Sequence, residues 1–305
     1  MRIFVTGASG WIGSAVVAEL LAAGHQVLGL ARSEASAEAV DAAGATVRRG
    51  DISDLDVLRA AAGDSDGVVH LAFRHDVAFT GDFQSAVDSD LAAIEALGEA
   101  LAGSDRPLAI ASGLAGLKPG AVATERDIAE PLPGAPGRAG NERAALAFAE
   151  RGVRSISVRF APTVHGDGDN GFIARIVAAD RAAGAAAYIG EGINRWPAVH
   201  RFDAARLVRL GIEGAPAGSV LHAVGEEGVA IRDVAEAIGR GLDLPATSIA
   251  AEQAQGHFGF LAGFLALDMP ASNALTRELL SWEPSGPPLV TDLDQGHYYY
   301  ATTTT

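Results

Sequence analysis

The strongest constraint on this chain is a glycine-rich turn set between a buried strand and a helix at the amino end. Ile3–Thr6 reads as a short apolar strand, and a helix is expected from Trp11 to Ala23. Between them the chain runs Thr6-Gly7-Ala8-Ser9-Gly10-Trp11-Ile12-Gly13. The three glycines do different things. Gly7 permits the tight turn, Gly10 lets the backbone approach a bound group, and Gly13 lets the helix close on the strand. A strand feeding such a turn and helix opens a βαβ unit, which belongs to a parallel sheet covered on both faces.

The rhythm that follows agrees with this start. Gly24 stops the first helix, and His25–Ala31, Ala45–Arg49, Gly67–Phe73, Pro107–Ser112 and Ser155–Val164 read as strands two to six. Phe83–Leu101 and Arg138–Glu150 read as the long crossover helices. Beyond Gly166 the spacing changes: a helix at Phe172–Ala183, a short strand at Ala186–Ile189, helices at Phe202–Glu213, Ile231–Arg240 and Ala271–Leu280, and a strand at Ser219–Val224. The expected fold is α/β, a Rossmann-type doubly wound parallel sheet with a smaller C-terminal substrate-binding lobe. Residues 1–165 form the cofactor domain, with 202–224 returning to it. Residues 166–201 and 225–305 form the lobe and a tail, and the tail is given no structural role.

Composition removes several function classes. The chain of 305 residues has no cysteine, so it holds no disulfide, thiolate metal site or thiol nucleophile, and no metal site is expected. A net charge of −15 repels polyanions and argues against nucleic acid as a partner. No apolar run is long enough to span a bilayer and no signal peptide is read at the amino end, so a cytoplasmic protein without membrane association is expected. The partner is a small-molecule substrate, and a homodimer is compatible with the helices at Phe83–Leu101 and Arg138–Glu150.

The strand, turn and helix together form a dinucleotide fingerprint, in which the helix amino terminus offers N–H groups to the phosphates. The end of the second strand selects the dinucleotide. A site for NAD(H) usually carries an acid there, whereas this chain reads Leu30-Ala31-Arg32-Ser33. Arg32 can fork to a 2′-phosphate and Ser33 can donate to it, so NADP(H) is expected ahead of NAD(H).

Further segments occur in an order that resembles the extended short-chain dehydrogenase/reductase family. They are Gly50-Asp51-Ile52, His70-Leu71-Ala72-Phe73, Ala111-Ser112-Gly113, Val164-His165-Gly166-Asp167-Gly168-Asp169 after Arg159, and Val199-His200-Arg201-Phe202-Asp203. The resemblance implies that Asp51 and Ile52 contact the adenine end. It implies that Leu71, Ala72 and Phe73 lie beside the nicotinamide ribose, and that Ser112 lies where the family's serine meets both cofactor and substrate. One departure is unambiguous. The family's Tyr-x-x-x-Lys pair should open the helix near Arg138–Glu150, yet the chain has no tyrosine before Tyr188, and its sole lysine is Lys118. The chain is therefore similar to atypical members that keep the cofactor loop without the usual acid.

Ser112 and His165 remain as catalytic candidates, the first as a hydrogen-bond donor to a carbonyl and the second as a group titrating near neutrality. Each also has an ordinary structural reading, as a strand-end hydroxyl and a packed histidine. His75, Phe79, Gly113, Trp196 and His200 are expected to shape the substrate cavity. Phe258, Phe260 and Phe264 suit a lid, a dimer surface or simple core packing. Lys118 suits a solvated surface cation or a group at the pocket mouth, and Glu142 a solvated helix carboxylate or a ribose acceptor. The leading expectation is an NADP(H)-dependent oxidoreductase reducing a small carbonyl, imine or activated double bond. The alternatives are a non-catalytic NADP-binding sensor and a sugar epimerase or dehydratase.

Overall fold

The computed structural model of the chain describes residues 1–78, 81–128 and 137–300. The amino-terminal half alternates β1 (Arg2–Thr6), α1 (Trp11–Ala22), β2 (Gln26–Ala31), α2 (Glu34–Ala42), β3 (Thr46–Arg49), α3 (Leu55–Gly63), β4 (Gly67–His70), α4 (His75–Ala78), α5 (Phe83–Leu101) and β5 (Pro107–Gly113). There follow α6 (Arg138–Ala147), β6 (Arg154–Phe160), β7 (Thr163–His165), α7 (Phe172–Ala183), β8 (Ala186–Ile189), β9 (Arg195–His200), α8 (Arg201–Gly214) and β10 (Ser219–Ala223). The remainder holds β11 (Glu226–Ala230), α9 (Ile231–Leu242), β12 (Ala246–Ile249), α10 (Ala251–Phe258), α11 (Ala262–Leu265), α12 (Ala274–Leu280) and α13 (Leu289–Asp294).

Seven strands form one parallel sheet in the order β10-β6-β5-β4-β1-β2-β3. The order reverses between β1 and β4, and the carboxyl ends of the strands at such a switch point are where doubly wound sheets bind ligands in a crevice. Ile3, Val5, Val16, Leu20, Ile156, Val158 and Leu207 share one buried cluster, while Phe4, Leu58, Val68, Ile94, Leu97 and Leu108 share another. The alternation of Ile3, Phe4 and Val5 between them is the period-two pattern of a strand buried on both faces. Each such side chain contributes about 1.5–3 kcal/mol by leaving water.

A third cluster, with Ile173, Ile176, Val177, Trp196, Ile238, Phe258 and Leu261, builds the smaller lobe. Its sheets are β11-β9-β7 and β12-β8. Among the described residues no helix is long and apolar enough to cross a membrane.

Three boundary expectations are corrected. Ser155–Val164 is two strands, not one: the chain leaves the main sheet at Ala161-Pro162, where proline lacks the N–H a ladder needs, and β7 joins a different sheet. The strand expected over Gly67–Phe73 ends at His70, and Leu71–Phe73 cross the crevice as loop. The tail is not loose through Tyr300. Tyr298 donates its hydroxyl to Asp169 Oδ2 (3.0 Å) and accepts the Gly166 N–H (3.2 Å). Tyr299 donates to the Ala237 carbonyl, and its own carbonyl accepts from Arg181. Amphipathic phenols, apolar in the ring and polar at the tip, dock where a purely polar tail would not.

Candidate cofactor and active site

The site begins where β1 ends. Gly7 has φ +67°, and a Cβ there would come within 2.9 Å of the Ala72 nitrogen. A Cβ on Gly13 would lie 1.9 Å from the Gly7 carbonyl oxygen, so the helix could not close on the turn. A Cβ on Gly10 would meet only the Gly7 oxygen, at 3.2 Å, and its outer side is open. Gly10 is also the N-cap of α1, and no side chain caps that first turn. The N–H groups of Trp11 and Ile12, and the positive end of a 12-residue helix, are thus available to an anion. Trp11 fixes the helix start by donating Nε1–H to the Val164 carbonyl (2.8 Å) and carrying the Arg201 guanidinium 3.9 Å above its ring.

Beneath the turn runs a buried polar chain that no sequence pattern announced. Thr6 Oγ1 accepts the Ala72 N–H (3.2 Å) and bonds His70 Nδ1 (2.8 Å). His70 Nε2 meets Asp90 Oδ1 at 3.1 Å, and Asn141 donates to Asp90 Oδ2 (2.7 Å) and the Val87 carbonyl (3.0 Å). A carboxylate only accepts, so His70 Nε2 donates its proton to Asp90. Burial opposes the charge on Asp90, but the His70 hydrogen bond, the charges of His70 and Arg138 and the Asn141 bond hold its pKa below the ordinary value. The chain ties β1, β4, α5 and α6 together under the crevice.

Just past β2, Arg32 Nη1 donates to Asp76 Oδ2 at 2.9 Å, both side chains being about half exposed. Asp76 is held below its usual pKa, chiefly by that bond. Ser33 caps α2: its Oγ accepts the Ser36 N–H and donates to Ser36 Oγ. Arg49, which no sequence motif marks, donates to the Ser33 carbonyl (2.8 Å) and pairs with Glu34. Asp51 accepts the Ser53 N–H and hydroxyl, an Asx turn, and Ile52 is buried beside it.

At the other end, Ser112 and Gly113 close β5, and a Cβ on Gly113 would meet nothing within 4 Å. Phe73 and His75 pack edge to face (centroids 5.0 Å apart), and the Arg138 guanidinium lies 4.4 Å above the Phe73 ring. Arg138 Nη2 donates to the Ala111 carbonyl at 2.9 Å. Burial first, then the Arg138 charge, lowers the pKa of His75, so this wall is cationic at Arg138 and neutral at His75 near pH 7.

Several expected site residues lie elsewhere. His165 is 1% exposed and its Nδ1 bonds Asp292 Oδ2 at 2.9 Å, so a histidine anchored on α13 replaces the expected catalytic group. Trp196 is equally buried, packed on Phe172 in the lobe core. His200 is half-buried, edge-on to His165 and Phe202, with its pKa lowered by burial. Phe258 is core and Phe264 packs on Phe172, while Phe260 is exposed on the lobe. Lys118 is an exposed partner of Asp127. Glu142 is neither solvated nor a ribose acceptor: it is buried, accepts Arg159 Nε at 2.8 Å and takes the Ser157 hydroxyl. Phe79 lies outside the described residues.

With this geometry in place, the chain can be set beside known proteins. The model of the NAD dependent epimerase/dehydratase family matches residues 3–221. A Schizosaccharomyces pombe relative, "Uncharacterized protein C2A9.02", is 47% identical over 98% of this chain and 100% of its own length. Two solved structures share the fold across 97–98% of both chains. They are the dTDP-glucose 4,6-dehydratase DesIV of Streptomyces venezuelae with NAD bound (23% identity, TM-score 0.77) and the UDP-glucose 4-epimerase of Thermotoga maritima with UDP-glucose (20%, 0.77). The glycine turn, the ordered downstream segments and the sheet they occupy agree with that match: the chain belongs to the NAD dependent epimerase/dehydratase family, within the extended short-chain dehydrogenase/reductases.

Proposed function

We propose that the protein is an NADP(H)-dependent oxidoreductase that reduces a small carbonyl, imine or activated C=C compound. The carrying observation is the pairing of an uncapped glycine-turn helix with a second strand followed directly by Arg32 rather than an acid. When bound, the nicotinamide supplies or accepts the hydride. The N–H groups of Trp11 and Ile12 would hold the pyrophosphate. Arg32 would take the 2′-phosphate, with Arg49 as a second cation beside Ser33. The Arg32–Asp76 pair is no obstacle, because an exposed ion pair is worth only about 0–1 kcal/mol and a dianion outbids one carboxylate. Ser112 offers a hydroxyl to the substrate oxygen, and Phe73 and His75 give that end an aromatic wall. A phenol acid adds about 10²–10⁴ in rate elsewhere; a substrate already activated for hydride addition needs it least.

A second reading, a sugar epimerase or dehydratase, draws on the family's description and on the sugar nucleotides named for the two solved structures. Both readings begin with hydride transfer at a nicotinamide, and they differ in whether the cofactor is consumed. NADPH and NADH are titrated by fluorescence, and reduced-cofactor absorbance is then followed against ketones, imines, enones and nucleotide sugars. The proposal expects tighter NADPH binding and net oxidation with an uncharged acceptor. It also expects Arg32→Ala to weaken NADPH by about ten- to a hundredfold while sparing NADH. Tighter NADH binding, with nucleotide-sugar conversion and no net oxidation, would overturn it in favour of the second reading.

A further inference from the structure

Arg138 opens α6, where the family's missing tyrosine and lysine would stand, and nothing in the sequence pattern gives it a role. Its guanidinium presents five N–H donors. One goes to the Ala111 carbonyl, and the flat face rests on Phe73. Its Nε is buried and has no hydrogen-bond partner among the described residues. Burial lowers the pKa of the guanidinium, opposed by the charges of Asp90 and Glu142, and an arginine stays protonated through such a shift. Asp90 compensates its charge without a hydrogen bond to it, its oxygens meeting His70 and Asn141 instead. Glu142, one turn along α6, is likewise engaged by Arg159 and Ser157. The protein has thus fixed a permanent cation at the carboxyl ends of β4 and β5, with a donor that no described residue uses. An orphaned buried donor costs about 1–3 kcal/mol, which a retained arrangement recovers only when an acceptor arrives.

We propose that Arg138 binds a pair of acceptor oxygens at the nicotinamide end of the crevice, standing in as a fixed fork for the lysine this chain lacks. The inference rests on the dinucleotide reading above. Two sources carry that chemistry: the diol of the nicotinamide ribose, or the oxygens of a carbonyl or carboxylate substrate. A planar fork suits both, and unlike a phenol it contributes charge without releasing a proton.

The test is binding, not turnover. Arg138→Met keeps the stem that packs on Phe73, and Arg138→Lys keeps the charge without the fork; thermal melts check that both fold. Each is titrated with NADPH and with 2′,5′-ADP, which retains the adenosine end and lacks the nicotinamide ribose (NADH and ADP if the wild type prefers them). Oxalate, as a two-oxygen probe, is titrated against the enzyme saturated with NADP. If the ribose is the source, Arg138→Met weakens NADPH by about ten- to a hundredfold and leaves 2′,5′-ADP within about twofold. If substrate oxygens are the source, NADPH affinity holds and oxalate binding to the NADP complex disappears. Arg138→Lys recovers part of either loss. Unchanged affinity for NADPH and oxalate in folded Arg138→Met would overturn the inference while leaving the dinucleotide reading intact. Equal weakening of NADPH and 2′,5′-ADP would also overturn it, by showing a general collapse of the site. A wild type that binds neither cofactor nor adenosine fragment would remove the reading and the inference together.

Discussion

Glu142 and Arg159 are buried together between α6 and β6, 2% and 3% exposed, in a two-pronged ion pair at 2.8 and 3.2 Å. The carboxylate also accepts the Ser157 hydroxyl, and Arg159 Nη1 donates to the Asp127 carbonyl (2.9 Å). Two charges out of water are tolerated here because nearly every lone pair and proton has a partner. Removing one of them strands the other. Glu142→Ala is therefore expected to destabilise the fold by about 3–5 kcal/mol, and Glu142→Leu with Arg159→Met to cost far less than the single change. Urea denaturation followed by circular dichroism measures both; a single variant within about 1 kcal/mol of wild type would contradict the assignment. Helix periodicity could not reveal this pair. Glu142 lies on a short Ala-rich helix whose inward face is itself polar, through Asn141 and Glu142, so the hydrophobic pattern that marks a buried face is missing. Arg138 is hidden in the sequence for the same reason, its only signal being its place at the head of that helix.

Strand β10 is the edge of the main sheet, and edges need cover. Here α12 provides it: the His222 N–H, on the outer side of the strand, donates to Thr276 Oγ1 at 2.8 Å, and Thr276 donates in turn to the buried Glu125. The His222 ring is fully buried, with Nδ1 2.8 Å from the Ser272 carbonyl and Nε2 3.4 Å from Arg159 Nη1. A carbonyl requires a proton on Nδ1, and a guanidinium requires none on Nε2, so the ring is neutral. Burial, with help from Arg159, lowers its pKa, and the Glu125 charge and the Ser272 bond only partly restore it. Below about pH 6.5 the unfolded chain binds a proton that the folded one refuses, so this contribution to stability is present above that pH and is lost as pH falls. Asp180, pushed up to about 6 by burial despite its bond to His257, works in the opposite direction, gaining stability for the fold as pH falls from about 6 towards 4. His222→Asn, which can still donate to Ser272, isolates the histidine. The melting temperature of the wild type should fall more steeply than that of the variant between about pH 7 and 5; parallel curves would mean that the ring titrates normally. The sheet that β10 closes was legible as a run of apolar segments. Its edge cover was not, because it depends on Thr276, Ser272 and Glu125 meeting from separate parts of the chain.

At the scale of the molecule, the alternating apolar strands and the first glycine turn made the seven-stranded body readable, and they failed where the chain shuttles between lobes. Pro162 gives no visible break because the apolar run continues across it, and the Tyr298 docking site is made by a loop 129 residues away. The same shuttling ties the two lobes together. Residues after β11 do not stay in the lobe: Ala271 and Trp282 pack in the core of the main sheet, while Leu289 and Leu293 pack in that of the lobe. Trp282 also donates to the Asp203 carbonyl at the start of α8, and Asp203 accepts the Ser285 and Gly286 N–H groups. The α13 carboxylate Asp292 then holds His165 at the end of β7. Neither hydrophobic cluster can come apart without pulling the 271–293 segment from the other, so unfolding should be one cooperative event despite the chain's size. Of the three tryptophans, Trp196 reports the lobe and Trp282 the main body. In a variant retaining only Trp196 (Trp11→Phe, Trp282→Phe) and one retaining only Trp282 (Trp11→Phe, Trp196→Phe), the fluorescence transition in urea should coincide with that variant's own loss of helical circular dichroism. A Trp196 transition well below its dichroism midpoint would show a lobe that melts alone, and the 271–293 crossover would then be a tether between two independent units.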